Sequence, residues 1–192
     1  MREVKLEFPS GYDRNTQAVV GLFAAQFDDL SRKLKRAVDR LDVRHLEWQP
    51  APGMNTVGMI LAHLALTEVW WINIAAKEIP SRPDGQKILD ELFGIINFDD
   101  GLPLPAEGKH PEALTQLTLA DYFRILDIAR QKVHSELSGW KDAHLQGSFR
   151  LRDETIAREW TLYHVLEHFA SHYGQVQMLK HLMRNAGVLE KK

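Results

Sequence analysis

The sequence predicts an all-α fold, a four-helix bundle with a long crossover between its second and third helices. Two observations carry this. Four segments repeat apolar residues at three- and four-residue steps, the signature of an amphipathic helix, and almost no stretch alternates with the two-residue period of a strand. Four such stripes are buried together most simply around one shared interior. A length of 192 residues suits one domain spanning 1–192.

The first helix is expected over about 15–41. Val20, Phe23, Phe27, Leu30, Leu34, Val38 and Leu41 fall on one stripe, and Asp13 or Asn15 can cap its start. The second, over about 56–76, follows the turn residues Ala51-Pro52-Gly53. Asn55 or Thr56 is its N-cap, and Val57, Ile60, Leu64, Trp71 and Ile74 form its stripe. The third, over about 118–138, opens on Thr118-Leu119-Ala120-Asp121, a capping box with Asp in the reciprocal position, and Gly139 ends it. Its stripe is Leu119, Tyr122, Leu126, Ala129, Val133 and Leu137. The fourth, over about 157–185, stops at Gly187.

Two connections exceed what a bundle needs. Residues 78–117 are rich in Pro and Gly, and only Gln86 to Phe93 reads as a short helix. A crossover of this length either spans the bundle or shapes a binding site. Between Trp140 and Trp160, the alternation in Ser148-Phe149-Arg150-Leu151-Arg152 suggests a short extended turn.

Composition narrows the function classes. The 44% hydrophobic and 26% charged residues are ordinary for a globular chain. A net charge of −2 provides no global field for nucleic acid. The longest apolar stretch, Val57 to Leu66, falls well short of the ~20 residues of a membrane span. A cytoplasmic domain with no nucleic-acid or membrane partner is therefore expected. Cys is absent, which excludes disulfides, zinc ribbons and a thiol nucleophile and leaves His as the strong nitrogen ligand for a transition metal. No G-x-S-x-G, P-loop or G-x-G-x-x-G motif occurs, so a serine hydrolase, an NTPase and a nicotinamide enzyme have no support.

Nine histidines are present, four of them between 164 and 181. His164, His168 and His172 stand four apart, so neighbours lie one turn above another on the same helix face. The row drifts about 40° per step, and the three cannot reach one ion equally. With the buried stripe centred between Phe169 and Val176, His172 lies about 50° from its centre, His168 about 90° and His164 about 130°. His63 lies about 70° from the stripe of the second helix. One histidine of the second helix and two of the fourth can thus meet at the interior, with His164 toward solvent. Three protein nitrogens leave a position open, as in catalytic metal sites. His164-Val165-Leu166-Glu167-His168 also fits H-x-x-E-H, the inverted zincin pattern. That chemistry needs a further carboxylate ligand downstream, where the only acid is Glu190.

Asn55-Thr56-Val57-Gly58-Met59-Ile60-Leu61-Ala62-His63-Leu64, followed by Glu68-Val69-Trp70-Trp71, resembles the second helix of DinB/YfiT-like proteins. His164 to Val176 resembles their last helix, so the resemblance covers nearly the whole chain. It implies a four-helix bundle holding a divalent metal, zinc or nickel first, through His63, His168 and His172. It also implies small-molecule chemistry of a transferase or hydrolase kind, typified by enzymes that join a low-molecular-weight thiol to an electrophile. Homodimers are common in the family, and other members have no established activity. One departure is visible: Phe169-Ala170-Ser171-His172-Tyr173-Gly174 stands where many members carry a Glu-Ala-His-His-Arg-Gly run.

Around such a centre, Glu68 and Glu167 are candidates to support the ligand imidazoles. Trp70, Trp71 and Tyr173 can wall a pocket, and His164 can carry protons at its rim. A bundle whose metal is not catalytic remains the alternative.

Overall fold

The computed structural model describes residues 5–77, 83–94 and 106–190. Six α-helices lie in these segments: α1 (Ala18–Val38), α2 (Val43–Glu47), α3 (Val57–Lys77), α4 (Pro83–Phe93), α5 (Leu119–Leu137) and α6 (Arg158–Asn185). The four long ones form the expected bundle. α3 packs against α5 and α6, and α1 against the same two helices, so α1 and α3 stand diagonally. The short helix expected within the crossover is α4, three residues longer at its start. Of the remainder of that crossover, residues 78–82 and 95–105 lie outside the described residues.

α1 starts at Ala18, not near 15, for a tertiary reason. Asp13 organises the preceding turn, its carboxylate accepting from Asn15 N at 2.9 Å. The first free amides of the helix, Val19 N and Val20 N, donate to Asp142 Oδ1 at 3.1 and 3.0 Å. The cap therefore comes from a residue over 120 positions away, in the 3₁₀ turn Asp142–Gln146.

The other caps follow the local sequence. Thr56 Oγ1 accepts from Met59 N at 3.1 Å at the start of α3, and Thr118 with Asp121 completes the capping box of α5. α6 ends in a Schellman motif: Gly187 takes φ +71°, its N–H donates to Arg184 O, and Val188 N donates to Met183 O at 2.8 Å. The extended turn before α6 is an antiparallel hairpin, β1 (Ser148–Leu151) with β2 (Glu154–Ala157), paired Ser148 to Ala157 and Leu151 to Glu154.

α3 departs most from its sequence reading. It has no single buried stripe, because residues on every side of it are covered, Met59, Leu61, Ala62 and Ala65 included. α2 and α4 close the sides that α5 and α6 leave open. Close approach is possible because two contacts are made to glycines. A Cβ on Gly58 would stand 2.5 Å from the Tyr122 hydroxyl, and one on Gly85 would stand 2.9 Å from the Leu66 carbonyl. α3 is also apolar and long enough to cross a membrane, but 78% of its most apolar window is buried inside the protein, as in a core helix.

Candidate metal centre

Because α3 and α6 are neighbours, a residue halfway along one can meet residues halfway along the other. His63 of α3 and His168 and His172 of α6 do so. His168 Nε2 lies 3.1 Å from His63 Nε2 and 3.1 Å from His172 Nε2. The three ligand atoms fall within 4.8 Å of one another.

A hydrogen-bonded cluster does not account for this arrangement. A neutral imidazole nitrogen carries either one proton or one lone pair, so His168 Nε2 cannot make good hydrogen bonds to both neighbours at once. A cation at their common focus uses the lone pair of every ring. Tetrahedral nitrogen ligands at 2.0–2.1 Å from zinc are about 3.3 Å apart, close to the spacing found. The cluster can therefore hold a metal ion.

Electrostatics favour the ligating form. Burial, and the neighbouring His172, push His63 down to about 4. Burial and the three surrounding histidines push His168 down to about 3. His172 is also lowered by burial, against its hydrogen bond to Gln175. Neutral rings offer lone pairs without competition from protons near pH 7.

The orientation of the rings is set by residues that the sequence reading did not single out. His172 Nδ1 donates to Gln175 Oε1 at 2.9 Å, which leaves Nε2 as the lone-pair nitrogen. The Thr67 hydroxyl lies 3.3 Å from His63 Nε2. Both partners sit one turn from their histidine (at i+3 and i+4), a spacing that would have marked them as candidates.

The carboxylates expected in this role are elsewhere. Glu68 is buried but turned into the bundle, where Arg130 donates to it at 2.7 Å. Glu167 is half exposed and lies 3.6 Å from His164, which is not one of the converging rings. α3 is covered on so many sides that Glu68, five residues after His63, faces α5 and not the centre.

His164 is also not the solvent-facing residue expected from the helical drift. Its ring stacks on Trp160, with centroids 4.7 Å apart and planes 6° apart, and meets the edge of Trp71 at 4.8 Å. It stands 5.9 Å from the His168 ring. The H-x-x-E-H reading required His164 and His168 on one ion, but the geometry pairs His168 with His63 and His172 instead. Trp71 and Trp160 thus wall the side of the centre toward the start of α6. Tyr173 is hydrogen-bonded to Gln177 at 2.9 Å, and Trp70 packs against Trp71.

Four other histidines have structural partners. His45 completes the cap of α2 and its Nε2 bonds Val188 O at 3.0 Å. His110 Nδ1 accepts from Thr56 Oγ1 at 2.9 Å. His134 joins Asp28 and Tyr12 at 2.9 and 3.0 Å, and His144 Nδ1 accepts from Lys141 N at 2.8 Å.

Fold and site together define a helical-bundle protein with three histidines converging from two adjacent helices. A sequence model of the DinB superfamily matches residues 26–176, a span that holds all three, and the chain belongs to that superfamily. Its structure is similar to one described as "crystal structure of the conserved protein of locus from Enterococcus faecalis". The TM-score is 0.67 at 17% identity, and the match covers 87% of this chain and 98% of that one. Comparison with curated proteins finds no match.

Proposed function

We propose that this protein is a metal-dependent enzyme, a transferase of the small-thiol type or a hydrolase, acting on a small molecule at an open centre. The observation that carries this reading is the convergence of His63, His168 and His172 Nε2 atoms. Three protein donors leave coordination open to a substrate or water. A bound divalent metal, zinc or nickel first, supplies the positive charge that draws a thiol or water toward its anion near neutral pH.

The chain's own residues divide the remaining work. Gln175 orients His172, and Trp71 and Trp160 exclude water from one flank. His164, held between those two rings at the rim, is the group placed to carry a proton. With no Cys in the chain, sulfur in a thiol transfer has to come from a low-molecular-weight thiol. The same reading takes the protein to be a cytoplasmic homodimer, which sedimentation of the purified chain tests for assembly.

The competing reading, a bundle whose metal only braces α3 against α6, has the same ligands but no exchangeable position. The first test is elemental analysis of untagged protein prepared without nickel chromatography, with about one equivalent of a transition metal expected per chain. Cobalt-substituted protein then separates the two readings. A thiolate-to-cobalt absorption band on adding a small thiol supports an open centre, and an unchanged spectrum supports the bracing role.

A further inference from the structure

The C-terminal ends of α1 and α6, the short helix α2 and residues 188–190 line a cavity of about 540 Å³. Arg184, on its wall, is twelve residues beyond His172 on the same helix, or about 18 Å along the axis. The cavity is therefore separate from the metal centre.

Its lining is strongly cationic in a chain whose net charge is −2. Among the described residues, Arg36, Arg40, Arg44, Lys180 and Arg184 share this lining with two carboxylates, Asp39 and Glu190. Some of these cations serve the fold. Lys180 Nζ donates to the Ala37 carbonyl in the last turn of α1, an ordinary complement to a helix C-terminus. Arg44 lies 3.4 Å from Asp42.

That explanation does not reach Arg40 and Arg184. Neither has a carboxylate within ion-pair distance among the described residues. Among the described residues Arg184 Nε is buried without an acceptor, a state that costs free energy until an acceptor arrives. Guanidinium groups present donors in planar forks that match the oxygens of phosphate. Leu41, Val188 and Leu189 add apolar wall beside them, suited to a short organic group on the anion.

We propose that this cavity binds a small phosphate-bearing anion, a phosphomonoester or diphosphate of a small organic group, held by Arg40 and Arg184. Such a ligand ties α1, α2 and the end of α6 together, so binding raises the stability of the whole bundle.

Inorganic pyrophosphate is the probe, titrated calorimetrically into the purified protein and compared with chloride at equal ionic strength. Saturable one-to-one binding is expected, with a thermal midpoint that rises with pyrophosphate concentration and not with chloride. Arg40→Ala/Arg184→Ala should weaken binding by about tenfold or more. Arg40→Ala alone alters only an exposed side chain, so it keeps the fold and should also weaken binding, whereas exposed Lys87→Ala on α4 should change nothing. Absence of saturable binding up to about 10 mM overturns the proposal. Binding unchanged in both Arg40→Ala and Arg40→Ala/Arg184→Ala does so too, since it puts the anion elsewhere, the histidine centre included.

Discussion

Gln175 Oε1 accepts a hydrogen bond from His172 Nδ1 at 2.9 Å, one turn along α6. The contact settles which nitrogen of His172 faces the other two rings. Gln175→Ala should therefore weaken metal binding while leaving the ligand set intact, by about tenfold, the lower end for such partners because Gln175 is exposed. Competition with a chromophoric chelator measures the change, and an unaltered affinity would show that ring packing alone orients His172.

The ligand assignment makes a sharper demand. His63→Ala or His172→Ala should remove stoichiometric metal. His45→Ala should leave the metal in place and cost about 1–2 kcal/mol of stability, through the lost cap of α2 and the bond to Val188. Metal content by elemental analysis, paired with urea unfolding of each variant, separates the two behaviours. Full occupancy in both ligand variants would sink the assignment.

Acidification should destabilise the metal-free protein. His63 and His168 have folded values of about 4 and about 3, below the ordinary 6.5 of an unfolded histidine. From about pH 6.5 downward the unfolded chain takes up protons that the folded chain refuses, so stability is greatest above 6.5 and falls toward those lower values. Urea midpoints in the presence of a chelator, at pH 7.5 and at pH 5, test this. His63→Ala/His168→Ala should flatten the dependence.

Glu68 and Arg130 form a buried pair: the Arg130 guanidinium lies over the rings of Phe27 and Phe169 at 5.3 and 5.7 Å, and its Nε stands 3.9 Å from Asp28. Burial pushes Glu68 up to about 7 against the pull of Arg130. Glu68→Ala leaves the buried Arg130 with only the longer contact to Asp28 and should cost about 2–4 kcal/mol. Glu68→Leu with Arg130→Met should recover part of that loss, because the buried charges leave together and Asp28 keeps His134 at 2.9 Å. Urea denaturation of the three proteins checks the order, and metal content should stay the same throughout.

Gly58→Ala should cost about 1–3 kcal/mol by overpacking. The new methyl meets the Tyr122 hydroxyl at 2.5 Å and the Leu46 carbonyl at 3.1 Å, and the carbonyl belongs to backbone. Thermal unfolding measures it.

How far the sequence was legible differs from element to element. The capping box of α5 and the Gly187 stop depend on neighbours within a few residues, and the structure places them where expected. The five-residue helix α2 went unread because it is too short to display a period. The hairpin was legible only as an alternation in one of its strands. Asp142 could not be read as the cap of α1, since the two meet only after the bundle closes. The histidine spacing on α6 pointed to His168 and His172, because rotation per residue is a local property. His164 broke the same rule because Trp160 and Trp71 cover a face that an isolated helix would leave to water.

By itself, then, the sequence determined which long segments become helices, where most of them stop, and which three histidines can converge. All of these follow from residue periodicity and short-range hydrogen bonding. Tertiary structure alone decided that α3 is buried on nearly every side, that Glu68 serves Arg130 and Gln175 serves His172, and that five cations gather around one cavity. Those outcomes depend on which helices become neighbours, and a helix's own period carries no record of what will cover it.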